Sequence, residues 1–163
     1  MGVEGGILRR YLLLHAAVER GGARMKDDRF IVMIVDDDES MRRAARRLIK
    51  SFGFAVETFA SADDFLASGR LEETACLVLD VQMPGLNGLG LQSHLIASRH
   101  QIPIIFISAF TDETARARAL AAGAIGYLVK PFEETDLLNC ITQALHCQEK
   151  ARRSGASDES GRR

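Results

Sequence analysis

The sequence predicts an α/β domain, a doubly wound parallel sheet covered by helices on both faces. Three observations predict it. Short apolar runs alternate five times with stretches of helical periodicity, the pattern of strand–helix units joined by right-handed crossovers. Three of the runs are apolar throughout, as strands buried on both faces require. Acidic, hydroxyl and basic residues stand at the carboxyl ends of the runs, the rim where such sheets carry their sites.

Residues 30–35 form a continuous apolar run of strand length. Met41, Ala44, Ala45, Leu48, Ile49 and Phe52 then recur at helical spacing, and Gly53 is the stop signal. Residues 55–59 read as a second strand. Ser61 followed by Asp64 is similar to a capping box and opens a helix through Phe65 and Leu66. Residues 76–79 are a wholly apolar strand that ends at Asp80. A third helix is expected from near Gly88 to about Ser98, and residues 104–107 are again wholly apolar. Ala115, Ala119 and Ala122 share a helical face that Gly123 terminates. Residues 127–129 are the last strand, and Leu137, Leu138, Ile141 and Leu145 line the last helix.

A chain of 163 residues suits one domain and can bury a core without disulfides or metal staples. Its 47% hydrophobic and 26% charged residues match a globular balance. A net charge of −1, 6% aromatics and no tryptophan supply neither the basic field nor the stacking surface of a nucleic-acid binder. Cys76, Cys140 and Cys147 are odd in number and lack metal-ligand spacing, so they read as reduced thiols of a cytoplasmic protein. No apolar stretch reaches the ~20 residues of a membrane span. Residues 7–18 come nearest, but Arg9, Arg10 and His15 interrupt them and no convincing cleavage site follows. Three regions are expected: a poorly ordered extension over 1–28, a domain over 29–148 and a polar, disordered tail over 149–163. The segment before Met25 reads either as a native extension or as an over-long start.

The first strand runs into Asp36, Asp37, Asp38 and Glu39, the third ends at Asp80, the fourth at Ser108 and the fifth at Lys130, before Pro131. A parallel sheet brings these groups together. Carboxylates crowded into one cleft repel unless something neutralises them, and an all-oxygen set favours Mg²⁺ or Mn²⁺ over Zn²⁺. Lys130 adds a point charge for a phosphoryl oxygen, and the Ser108 hydroxyl can donate to another. One carboxylate is then free to attack phosphorus.

Those residues sit in four stretches: Ile34-Val35-Asp36-Asp37, Leu79 to Gly85 with Asp80 and Pro84, Ile107-Ser108-Ala109, and Val129-Lys130-Pro131-Phe132. Together and in order they identify the chain, from about Phe30 to Leu145, as similar to the response regulator receiver family. It resembles most those receivers that precede LuxR-type DNA-binding domains. The resemblance implies a flavodoxin-like sandwich with strand order 2-1-3-4-5. It implies that Asp80 is the phosphoacceptor and that Mg²⁺ or Mn²⁺ sits among Asp36, Asp37, Asp80 and the Gln82 carbonyl. Asp37 would be the direct ligand, and Asp36 would act through water or tune charge. Ser108 and Lys130 would contact the phosphoryl oxygens, a cis Lys130–Pro131 bond aiming the lysine inward. Tyr127 would be the aromatic that switches rotamer on activation.

The resemblance also implies partners. A sensor histidine kinase or histidine phosphotransfer protein would donate the phosphoryl group. The first helix, with Arg42, Arg43, Arg46, Arg47 and Lys50, would either dock it or be a plain solvated face. The fourth helix, fifth strand and fifth helix would meet a target or a second copy, with no direct nucleic-acid contact and no membrane. The expected protein is a self-phosphorylating, autodephosphorylating switch, not an enzyme on external substrates. It would act as a single-domain regulator through protein contact. Two alternatives stay open: a degenerate or truncated receiver serving only as an interaction module, and a Mg²⁺-dependent Asp-nucleophile phosphatase. The second needs an acid two residues after the nucleophile, where Gln82 stands. Three residues depart from the family pattern. Asn87 replaces the frequent acidic residue or serine, Gly90 is costly early in a helix, and Phe110 is expected to cover the site and slow attacking water.

Overall fold

A parallel sheet of five strands lies between two helical layers, in a computed structural model that describes residues 31–156. The elements are β1 (Ile31–Val35), α1 (Glu39–Ser51), β2 (Ala55–Phe59), α2 (Ala62–Ala67), a 3-10 turn (Leu71–Glu73), β3 (Thr74–Asp80), α3 (Gly88–Ala97), β4 (Ile104–Ser108), α4 (Glu113–Ala121), β5 (Gly126–Val129) and α5 (Glu134–Ala156). The strand order is β2-β1-β3-β4-β5 and every pairing is parallel, the flavodoxin-like arrangement.

Successive residues of a strand face opposite sides, so two cores form. Met33, Val35, Leu77, Leu79, Phe106 and Tyr127 pack with Phe65 of α2, Leu91 and Leu95 of α3 and Ala119 of α4. Val32, Ile34, Cys76, Val78, Ile105 and Ile107 pack with Ile49 of α1 and Leu137, Ile141 and Ala144 of α5. All seven residues of β3 are buried, which is why its sequence shows no polar alternation. Burying a side chain the size of Leu77 or Phe106 contributes about 1.5–3 kcal/mol. Cys76 lies within this packing, and burial pushes its thiol well above the usual range. Cys140 is partly buried and Cys147 exposed.

Each helix from α1 to α4 begins at a side-chain cap: Asp38, Ser61, Asn87 and Asp112 accept from backbone N–H groups of the first turn. Ser61 accepts from the Asp64 N–H, as its spacing predicts. Asn87 therefore has a local structural use, whereas at Gly90 the nearest obstacle to a side chain is the movable end of Leu86. A Cβ on Gly90 would stand 2.7 Å from Leu86 Cδ1.

Two boundaries differ from expectation. β3 starts at Thr74, where the Thr74 hydroxyl donates to the Arg70 carbonyl over the 3-10 turn. α5 continues to Ala156, so residues 149–156 extend the helix and are not a disordered tail. Polarity marks which residues face water, not whether they are helical. Each added turn here costs little, because Gln, Lys, Ala and Arg are good helix formers. Phe30, the expected extension over 1–28 and residues 157–163 lie outside the described residues. No helix among the described residues is long and apolar enough to cross a membrane.

Candidate functional site

Parallel register sets the site. Val35 pairs with Leu79, Asp80 with Ile107, and Ser108 with Val129. The residues at or just past these positions, Asp36, Asp80, Ser108 and Lys130, therefore line one rim of the sheet. Asp36, Asp37 and Asp80 each offer a carboxylate oxygen, and these oxygens lie within 4.8 Å of one another. Asp36 and Asp80 are buried, at 6% and 9% exposure, whereas Asp37 is exposed.

Asp36 is tied through all its polar atoms. Its N–H donates to the Phe59 carbonyl at 3.2 Å, and its Oδ1 accepts from the Asp38 N–H at 2.9 Å. Its Oδ2 lies 3.5 Å from Lys130 Nζ, and its carbonyl accepts from Arg42 Nη1 at 2.7 Å. Asp80 Oδ1 accepts from the Gln82 N–H at 3.4 Å. Burial, then the Asp36 carboxylate, push the Asp80 carboxyl up from 3.8 to about 6, against the opposing pull of Lys130 and the Gln82 N–H. The cluster thus crowds negative charge into a partly desolvated rim that Lys130 offsets only in part. Three converging oxygen donors fit a hard divalent cation, the chemistry that relieves this repulsion.

Ser108 is buried beside this rim, and its hydroxyl is held by the Phe110 backbone. It donates to the Phe110 carbonyl at 2.9 Å and accepts from the Phe110 N–H at 3.1 Å. The Phe110 ring is 61% exposed, so it does not cover the site here. The Lys130–Pro131 peptide is cis. Gln82 contributes backbone at the rim while its side chain is exposed. Tyr127 is apart from the rim. It is buried with its ring tilted against Phe106 at 6.2 Å, and its hydroxyl has no hydrogen-bond partner among the described residues. A cavity of about 200 Å³ lies between α1 and the start of α5, with Asp36 and Asp80 among its mostly apolar lining.

Three residues outside the predicted ligand and phosphoryl-contact set support the site, Asp38 among the acids read at the end of the first strand and two that the sequence reading gave no part in it. Asp38 caps α1 and ties its own N–H to Asp36. Arg42, expected on a solvated or docking face, is partly buried and turned back onto the Asp36 carbonyl. The first turn of α1 abuts the sheet rim, so an arginine there reaches the strand end, whereas Arg46, Arg47 and Lys50 stay exposed. Gly88 starts α3 against β3, its N–H donating to the Val81 carbonyl at 3.1 Å. A Cβ there would run into the Asp80 carbonyl oxygen and stand 3.0 Å from Val81 Cα. Gly88→Ala is expected to cost about 1–3 kcal/mol, because the clash is with backbone that cannot rotate away. Urea unfolding measures it, and a loss below about 0.5 kcal/mol, the level of an ordinary surface substitution, would show that α3 simply shifts.

The profile of the response regulator receiver domain matches residues 32–142. Among curated proteins the chain is similar to the response regulator protein TodT of Pseudomonas putida, at 43% identity over 102 residues, 63% of this chain and 45% of that protein. Among solved structures it is similar to the response regulator StyR at 44% identity, with 81% of this chain and 67% of that one covered and a TM-score of 0.75. It is also similar to FixJ-N at 34% identity, covering 72% of this chain and 94% of that one with a TM-score of 0.67. The chain spans about half the length of the curated relatives it matches, 45% of TodT and 53% of FixJ.

Proposed function

This chain belongs to the response regulator receiver family, and from that premise we propose that it is a phosphoacceptor switch of a two-component phosphorelay, modified on Asp80. One observation carries the reading. The Asp80 carboxylate stands among Asp36, Asp37 and Lys130 at the carboxyl rim of the sheet.

In this reading an Asp80 oxygen attacks the phosphorus of a donor phosphohistidine. A P–O bond to Asp80 forms, the P–N bond breaks, and the histidine nitrogen leaves with the electron pair. The carboxylates of Asp36, Asp37 and Asp80 and the Gln82 carbonyl would hold Mg²⁺ or Mn²⁺, which would neutralise part of the transferring charge. Lys130 leaves Asp36 to hold one phosphoryl oxygen, and Ser108 releases Phe110 to donate to another. The vacated space near Ser108 admits the Tyr127 ring, whose unpartnered buried hydroxyl gains by moving. The surface of α4, β5 and α5 repacks and meets a protein target or a second copy. The donor is a sensor histidine kinase or phosphotransfer protein, which docks on α1 through Arg46, Arg47 and Lys50. The site described works without touching nucleic acid, in the cytoplasm, and turns over no external substrate.

The test is incubation of the full chain with acetyl phosphate and Mg²⁺, followed by intact mass. One phosphoryl adduct is expected, absent when EDTA replaces the cation and absent in Asp80→Ala. An unmodified chain points to the degenerate, interaction-only reading. Steady hydrolysis of phosphate esters without an adduct points to the phosphatase, which the glutamine at position 82 disfavours.

A further inference from the structure

The loop that carries Asp36 and Asp37 is short. It leaves β1 at Val35 and is in α1 by Glu39. The Asp38 cap on α1 and the Asp36–Lys130 pair aside, its geometry rests on three contacts: the Asp36 N–H to the Phe59 carbonyl, the Asp38 N–H to Asp36 Oδ1, and the hydrogen bond from Arg42 Nη1 to the Asp36 carbonyl at 2.7 Å. The last is the short one and the one with a charged donor, hence the strongest of the set. Arg42 is itself rooted in α1, where its N–H donates to the Asp38 carbonyl at 3.0 Å. The side chain therefore spans the loop from helix to strand end, closing it as a strap.

We infer that Arg42 is a positioning residue that holds the acid loop in the geometry its carboxylates need to receive a divalent cation. The inference rests on the proposed function, because it assigns Arg42 a part in the same site. It runs against what charge alone dictates. A guanidinium close to an acid cluster repels an incoming cation, so removing it should tighten cation binding. A strap acts the other way. Ligand groups must be held within about 0.5 Å of their productive places, and a loop that loses its strongest tie spreads beyond that. Solvent access weakens the charge effect, while the hydrogen bond is local and unscreened, so the strap decides the sign.

The neighbouring Arg43 is the internal control. It is exposed and bonds to Glu39 at 2.7 Å, within its own helix, so its removal takes away the same charge without touching the loop. The experiment measures the thermal midpoint of the full chain against MgCl₂ concentration and extracts the dissociation constant from the stabilisation. Arg42→Met is expected to weaken Mg²⁺ binding roughly tenfold, the effect of losing a charged hydrogen bond. Arg42→Lys, which keeps a donor and the charge, is expected to recover most of it. Arg43→Met is expected to stay within about twofold of wild type, as an exposed pair with little influence does. A second readout needs no cation. Exchange of the Asp38 amide proton, held by Asp36 Oδ1, is expected to quicken in Arg42→Met. An Arg42→Met dissociation constant equal to or below that of wild type, or an unchanged Asp38 exchange rate, overturns the inference while leaving the phosphoacceptor reading intact. A wild-type chain that Mg²⁺ does not stabilise takes both down together.

Discussion

In cation-free buffer at pH 8, Asp80→Asn is expected to be more stable than the wild-type chain by about 1–2 kcal/mol, solvent screening taking part of what the shift is worth. The reason is the crowding at the rim. Burial and the Asp36 carboxylate raise the Asp80 carboxyl from 3.8 to about 6 in the folded chain. The folded state then binds that proton more tightly than the unfolded state does. Its contribution to stability is fully present below about pH 4 and is lost as pH rises through about 6. At pH 8 the ionised carboxylate opposes folding by an amount set by the shift, about 1.4 kcal/mol per unit. Asn keeps the shape without the charge, so Asp80→Asn avoids that penalty and loses this part of the pH dependence. Chemical denaturation of both proteins between pH 4 and 8 measures it: the curves should converge near pH 4, separate as pH rises to about 6 and run parallel above it. Adding Mg²⁺ should reverse the order, because the wild-type chain gains binding free energy that the variant largely lacks. A variant no more stable than wild type at pH 8 would show that the rim is not strained by its own charge.

Lys130→Met should lower the rate of phosphoryl acceptance from acetyl phosphate by roughly a hundredfold or more, the effect of removing one preorganised group that meets developing charge. Lys130 Nζ stands 3.5 Å from Asp36 Oδ2 and pulls the Asp80 carboxyl downward. Without it Asp36 loses a partner and Asp80 shifts further up, so less of it is ionised and nucleophilic near neutral pH. Part of the loss should therefore recover at higher pH, and the part that does not is the missing contact with the transferring group. Lys130→Arg should not restore the rate, since a planar fork cannot replace a compact ammonium in a confined position. Initial rates of adduct formation by intact mass, taken across pH, separate the two contributions. A Lys130→Met rate within about threefold of wild type would remove the lysine from the proposed chemistry, since a group of this kind carries far more.

Element order was readable from local signals. Residues 104–107 are apolar without interruption because β4 is covered on both faces, and Ser61 caps α2 because a hydroxyl three residues before an N–H suits that geometry. The positions of Asp36, Asp80, Ser108 and Lys130 at strand ends follow from the same runs. The end of α5 was not readable, because Ala151 is the lone apolar residue from Gln148 to Arg153 and one residue sets no periodicity.

The sequence by itself determined that this is a five-stranded α/β domain with its charged groups at one rim, since apolar periodicity and strand-end residues are written locally along the chain. Only the tertiary structure decided which residues serve that rim from outside the motifs. Arg42 reaches the Asp36 carbonyl because α1 lies against the end of β1, and Gly88 is required because α3 lies against the Asp80 backbone. Both are contacts of a side chain, or of its absence, with main-chain atoms. Such contacts carry no residue-type signature, so they exist only once separate elements have closed on one another.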